Sequence, residues 1–560
     1  MKDLPEVLEQ LSHRLDELET RVEALEHPHE ATITAPLPLP LAPVAEDNAI
    51  EQAGGAFPII GKAMLGIAGA YVLRAVEASA TVPGPAMAVV AIAYAMGWLV
   101  WAARSESRSR LAATIYAGTS ALILAPMLWE LLLRFAVVSP ALAAAVLFVY
   151  AAAASSLAWK HARSPVYWIA HGAAAATGIT LGISANALEP FLAELLGLVL
   201  ISEYGAARRH ERSVRPLVSM AAAAGVWVLI FVYSGPVNTR AGYPVLSLAE
   251  MLAPGCTLFA INAVGITART TWLRRPITIL DTVQAMIAFL LAAASVLYFA
   301  PHSGEIVLGV VCLLVSAACY AASFAIFRRE AESRNYMILA VWSAGLLMLG
   351  TTWSMPSSWM SLCLGLASIV ATALGAKLNS KMLELQGVVY LAVAASASGL
   401  IWHAGRMLAG ALPGTPTWNI CAVAACALVD YAFAKERNGE DWRLQTLHFA
   451  LAFLAMFALA AFLAQGFLWL TARWVVPDVF QVALVRTLAI CVLALALASG
   501  GCRLQRVEMT RIAYAALAFL AVKLLFEDLR HGRMEFIAAS LFLFAVTLIG
   551  VPRLGHKNAG

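Results

Sequence analysis

Apolar residues recur along this chain in two registers. Over residues 1–27, Leu4, Leu8, Leu11, Leu15, Leu18, Val22 and Leu25 alternate at spacings of four and three, which is the seam of a coiled coil. With Leu8, Leu15 and Val22 at the a positions, Arg14 and Arg21 at g face Glu19 and Glu26 at e of a parallel partner, so the pattern predicts self-association into a homo-oligomer. Asp3 followed by Glu6 resembles a capping box, and His27-Pro28 ends the helix. About three heptads are marginal alone in water, but tethering in one membrane raises the effective concentration. The structural alternative is a solvated amphipathic helix lying on its own protein. Residues 28–56, with PLPLPLAP at their centre, read as an extended, semi-rigid linker.

From residue 57 the pattern changes to unbroken apolar runs of helix length. The first covers 57–80, close to the ~20 residues a membrane-crossing helix needs. Its glycines, with Gly66 and Ala70 spaced for close approach, leave a smooth face for another helix. Seventeen more runs follow at 84–103, 111–133, 138–159, 166–185, 189–206, 216–233, 247–268, 277–299, 305–327, 336–354, 357–376, 384–405, 416–434, 444–468, 480–500, 511–527 and 535–551. The prediction is an all-α polytopic transmembrane helix bundle of about 18 helices over 57–552, with a short tail at 553–560. Composition agrees: 61% hydrophobic and 13% charged residues, against about 45–50% and about 25% in soluble domains. The chain opens on an acidic helix rather than a basic region followed by an apolar core, so no cleaved secretory leader is expected.

Charge gives the topology. The loops alternate between a set carrying 25 Lys or Arg, such as Arg208/Arg209/Arg212/Arg215 and Arg269/Arg274/Arg275, and a set holding six: Arg134, Arg240, Arg406, Arg473, Arg530 and Arg533. The positive-inside rule puts the first set, both termini and the arm in the cytoplasm. The arm carries twelve acidic against three basic residues through Glu51, so an anionic lipid surface repels it. The repeating unit is a helical hairpin, and the short outer loops leave no room for a separate catalytic domain.

Ionisable residues inside the membrane are costly and face protein or water. At 1.5 Å per residue, Arg74, Glu130, Arg486 and Lys523 lie roughly 5–10 Å below the outer ends of their helices, with Glu77, Glu527 and Asp528 further out. Two readings follow. One is an outward-facing polar pocket, with Arg74, Arg486 and Lys523 suited to an anionic group and Glu130 to proton or cation work. The other is that these groups snorkel or pair as glue between helices. Glu194, Glu250 and Glu305 near outer ends are weaker candidates, while Asp281, Glu384 and Asp430 near inner ends are expected to face cytoplasmic Arg and Lys.

The chemistry read from motifs is negative. His171, His403 and His448 are isolated and read as hydrogen-bonded core residues. The eight cysteines form no CxxC or Cys/His cluster, so no metal site and no cofactor are expected. P-loop, GxSxG, HExxH and dinucleotide signatures are missing from the sequence. Basic residues are spread through membrane-flanking loops, which argues against nucleic-acid binding.

Three features together resemble the family of bacterial membrane proteins named for domain of unknown function 2339. They are the Leu-rich arm with its Pro-rich linker, GKAMLGIAGAYVLRAVEAS from Gly61 to Ser79, and AVKLLFEDLRHGRMEFIAASLFLFAVTLIG from Ala521 to Gly550. The last is similar to the family's K-x-x-x-x-D-L motif, with Lys523, Asp528 and Leu529 in the motif positions; Arg530 and the segment after it depart from the usual pattern. The resemblance implies a bacterial inner membrane, many helices and a coiled-coil arm, and it implies no particular activity. The functional expectation is a transporter-like or lipid-handling protein in contact with the bilayer. The alternative is a membrane scaffold acting through its arm, and a membrane-embedded transferase comes third.

Overall fold

The computed structural model describes residues 45–78, 83–105, 109–161, 164–208, 214–326, 334–410, 412–434, 442–473, 478–528 and 533–555. The coiled-coil seam from Leu4 to Leu25 and the end of the tail lie outside them. The chain forms two compact units, Met1–Ala68 and Gly69–Gly560.

In the first unit the described residues open helix α1 (Ala45–Ala78), on which Ile60, Met64 and Leu65 are exposed. The helix starts inside the stretch expected to be linker. The prolines of that stretch stop at Pro43, and AEDNAIEQA after it holds mostly residues compatible with a helix, so nothing there enforces an extended chain.

In the second unit α1 ends and eighteen further helices follow. These are α2 (Gly84–Ser105), α3 (Arg110–Trp129), α4 (Pro140–His161), α5 (Ser164–Ser184), α6 (Leu188–Ala207), α7 (Arg215–Ser234), α8 (Leu248–Thr271), α9 (Ile279–Phe299) and α10 (Ser303–Ile326). Then come α11 (Arg334–Ser354), α12 (Ser357–Leu378), α13 (Lys381–Ala397), α14 (Leu400–Leu408), α15 (Trp418–Phe433), α16 (Trp442–Ala472), α17 (Val479–Leu504), α18 (Val507–Lys523) and α19 (Met534–Gly555). Among the described residues the protein is all-helical, and sixteen helices are long and apolar enough to cross a membrane. The expected run at 384–405 is not one straight helix: α13 and α14 meet at 68°. Gly399 sits at the break with φ +80°, a conformation that ends a right-handed helix and suits glycine. The run at 416–434 is the shorter apolar helix α15.

Helix ends are set by local chemistry. Ser247 with Glu250, Thr278 with Asp281, and Asp478 with Gln481 form capping boxes that start α8, α9 and α17. Interiors are filled with small side chains, such as Ala91, Ala95 and Ala102 of α2, so that backbones approach closely where hydrocarbon surrounds the outside. The closest packing joins α2 to α3, α8 to α9, α10 to α11 and α12 to α13, each across a basic loop, and α17 to α19; the pairs expected as hairpins between basic loops, such as α9 with α10, pack less closely. A core running from α11 to α19 includes Tyr390, Leu391, Val423, Leu451 and Ala489. Between these groups of helices, the α10–α11 hairpin touches α9 on one side and α12 and α13 on the other through few residues.

Candidate functional site

Two clusters of the expected charged layer each contain a π-helical turn. The first is Glu130–Arg134, which follows α3 just after Pro126. It buries Glu130, which takes both Nε and Nη2 of Arg74 from α1 and lies 3.8 Å from the exposed Arg134. The Arg74 guanidinium also stands 5.4 Å from the Tyr71 ring. The second is Leu524–Asp528 at the end of α18. Glu527 there lies 3.0 Å from Arg486 of α17 and 3.4 Å from Lys523. π-turns recur at functional sites, and nothing in the apolar periodicity announced either one. The backbones of Glu77 and Asp528 lie on their helices, while their side chains fall outside the described residues.

Thus the structure unites Arg74 with Glu130, and Arg486 with Lys523 and Glu527, on two sets of helices that share no member. The second set fastens the broken helix. Arg486 is 2% exposed, and it donates from Nε to Met407 O (2.8 Å) and from Nη2 to Arg406 O (3.1 Å) and Gly410 O (2.7 Å). These carbonyls are at the C-terminus of α14, where the helix dipole favours a cation. Lys523 donates to Ala483 O (3.0 Å) and Thr487 Oγ1 (2.9 Å).

The most elaborate polar cluster lies at the opposite, basic-loop end. Glu203 near the end of α6, Arg215 at the start of α7, Arg269 near the end of α8 and Asp281 at the start of α9 close a ring of alternating charge. Arg215 Nε is 3.1 Å from Glu203 Oε1, Arg269 Nη2 is 3.1 Å from Asp281 Oδ1, and two closer pairs complete the ring. All four side chains are buried. Asp281 uses its other oxygen to cap α9, accepting from Thr278 N at 2.9 Å and Oγ1 at 2.7 Å. Gly265 of α8 leaves room for Glu203, since a Cβ there would stand 2.9 Å from the carboxyl carbon. The expectation for Asp281 holds. Glu384 lies 3.5 Å from His448, and Asp430 differs from the expectation, accepting from Ser368 Oγ.

His171, His403 and Glu250 have local explanations, and Glu194 does not. His171 is bonded to Tyr167 O (2.9 Å) and Ser155 Oγ (3.3 Å), and His403 to Gln465 (3.0 Å). Glu250 belongs to its capping box. Glu194 is buried against Gly178, and its carboxylate oxygens have no hydrogen-bond partner among the described residues.

Two large apolar cavities lie elsewhere among the described residues. A crevice of about 580 Å³ opens between α8, α9 and α10 toward the ends of these helices away from the basic loops, with Leu252, Cys256, Val296 and Val307 among its walls. One of about 460 Å³ runs between α9 and α11 toward the basic-loop ends. A smaller one of about 110 Å³ adjoins both. Phe289 and Leu346 border both larger crevices, and Phe289 stacks edge-to-face on Phe259 (5.4 Å) and Trp342 (6.2 Å). These aromatics form a partition between the two. No protein-family model, curated protein or solved structure matches this chain.

Proposed function

We propose that this chain is a lipid-handling membrane protein that holds acyl chains in the crevices beside α9, α10 and α11. The observation that carries the reading is the size and lining of those crevices. At about 580 and 460 Å³ they fall within the ~300–1,000 Å³ of small-molecule sites, and their walls are almost wholly aliphatic and aromatic. The charged residues point the same way. An anion approaching Arg486 would have to displace three backbone carbonyls and a carboxylate, so the outer charged layer acts as bracing rather than as a solute pocket.

Photoactivatable acyl-chain phospholipid added to the protein in native-lipid discs tests this. Labelling is expected to concentrate on α9–α11 and to fall several-fold in Val307→Trp and Gly345→Trp, each of which fills one crevice. Labelling spread over all lipid-facing helices and indifferent to both substitutions would sink the reading.

We propose further that the protein sits in a bacterial inner membrane with both termini cytoplasmic, and that its arm pairs copies in parallel. The basic-loop asymmetry, the heptad seam and the family resemblance support this. Full-length protein carrying Leu18→Cys should give an oxidant-dependent dimer in native membranes. A chain that stays monomeric removes the pairing.

A further inference from the structure

We propose that the α9–α11 crevice takes an anionic phospholipid from the leaflet on the basic-loop side, with its phosphate on Arg334 and one acyl chain reaching Phe289 and Trp342. This rests on the lipid-handling reading and adds the headgroup class, the leaflet and the residue that selects it.

The mouth of the crevice is built. Asn335 in the first turn of α11 accepts from Ile277 N at 2.7 Å and donates to Arg275 O at 3.1 Å, and Arg334 Nη2 donates to Ile277 O. The loop leading into α9 is therefore clamped to the start of α11. Beyond the clamp the two helices part. Met286, Leu290, Met337 and Val341 line the gap, and nothing stands within 4 Å of where a Cβ on Gly345 would be. From Arg334 to Leu349 the crevice follows α11 for about 22 Å at 1.5 Å per residue, enough to take a chain through one leaflet of a ~30 Å core. The Phe289–Trp342 contact borders the middle of this path.

Charge complementarity selects the occupant. Arg334 is exposed and lines the mouth, and its bond to Ile277 O uses one edge of the guanidinium. Of the two fork edges of a guanidinium, Nε/Nη2 and Nη1/Nη2, the bond from Nη2 occupies one and leaves the other to match two phosphate oxygens. Arg274 nearby is also exposed. Asp281, next to the crevice-lining Thr282, has both oxygens engaged by the ring and by Thr278, so it does not oppose an anion there. A partner helix of another protein would need a groove as wide as its ~10 Å diameter along its whole length; a crevice with a single guanidinium at its mouth suits one lipid chain and one headgroup better.

The test uses the full-length protein in detergent, stripped of lipid, and titrated in native mass spectrometry with phosphatidylglycerol and phosphatidylcholine of the same chains. Both lipids carry the phosphodiester, but phosphatidylcholine adds a choline cation that Arg334 and Arg274 repel, so wild type should prefer phosphatidylglycerol by about tenfold. Arg334→Gln should lose the preference and keep phosphatidylcholine binding, Arg334→Lys should retain most of it, and Gly345→Trp should lose both lipids. Excess inorganic phosphate should displace nothing. Variants are compared at matched melting by tryptophan fluorescence, so a misfolded Arg334→Gln is recognised and Arg334→Lys then decides: loss of the preference in a folded Lys variant counts against the phosphate contact. Unchanged preference in Arg334→Gln overturns the headgroup site while the crevice reading stands. Unchanged binding in Gly345→Trp overturns both. Displacement by phosphate, or a dimer in place of bound lipid, overturns the proposal in favour of a free anion or a second copy.

Discussion

Arg269→Gln should lower the unfolding free energy in detergent by about 3–5 kcal/mol, the range for removing one member of a buried ion pair. The reason is what it leaves behind. Glu203 and Asp281 would remain buried at 7% side-chain exposure each, with Arg215 as their one remaining ring partner. The ring predicts a second result that a simple packing role does not. Adding Glu203→Gln removes a carboxylate with its arginine, so the double variant should be more stable than Arg269→Gln alone, with a coupling of a few kcal/mol read from the cycle. The exposed Arg134, 3.8 Å from Glu130, serves as the contrast, and Arg134→Gln should cost under about 1 kcal/mol. Denaturant melts followed by tryptophan fluorescence measure all five proteins: wild type, Arg269→Gln, Glu203→Gln, their double variant and Arg134→Gln. A single variant within about 1 kcal/mol of wild type, or a double variant equal to the sum of the singles, would falsify the ring as a coupled unit.

The ring also shows where a one-dimensional reading stops. Apolar runs long enough to span a bilayer are visible in sequence because every residue around such a helix must suit hydrocarbon or another helix, and most of those runs recur with ends shifted by a few residues, although α1 begins at Ala45 and the run at 384–405 divides into α13 and α14. Arg215 and Arg269 were visible too, as members of basic loops that set topology. Burial is what the loop count could not supply: Arg269 meets Glu203 across 66 residues, and only the packing of α6 against α8 brings them together. Depth along a helix placed Arg486 and Lys523 in one layer with Arg74 and Glu130, but depth is one coordinate of three. The angular position around the bundle separates the two pairs. Gly399 carried a signal that the run at 384–405 concealed, since a Ser-Gly step in an apolar stretch is compatible with a straight membrane helix until φ is known. The crevices left no mark at all, because residues lining an apolar gap and residues facing lipid are chemically alike.

Arg486→Gln should release the half-helix α14. Four donor contacts converge on this one buried guanidinium: Met407 O, Arg406 O, Gly410 O and Glu527. A glutamine carries two donors on a shorter stem, so at least two of these four acceptors, one or more of them carbonyls at the C-terminus of α14, lose their partners in a place water does not reach. Each hydrogen bond to a charged group contributes about 1.5–3 kcal/mol, and part of the loss is relieved by α14 peeling away, so a net cost of about 2–4 kcal/mol is expected. The damage should be local. Hydrogen exchange over residues 400–410 should quicken by tenfold or more while the ring helices α6–α9 keep their protection, because α14 packs on α13, α15 and α16 and not on them. Trp402, 71% exposed on α14, gives a fluorescence signal for the same opening. Arg486→Lys restores the charge at the helix end without the planar fork, so it should recover the dipole contribution and only part of the protection. If exchange over 400–410 is unchanged in Arg486→Gln, the arginine is not what holds the broken helix, and its buried donors become available to a ligand after all.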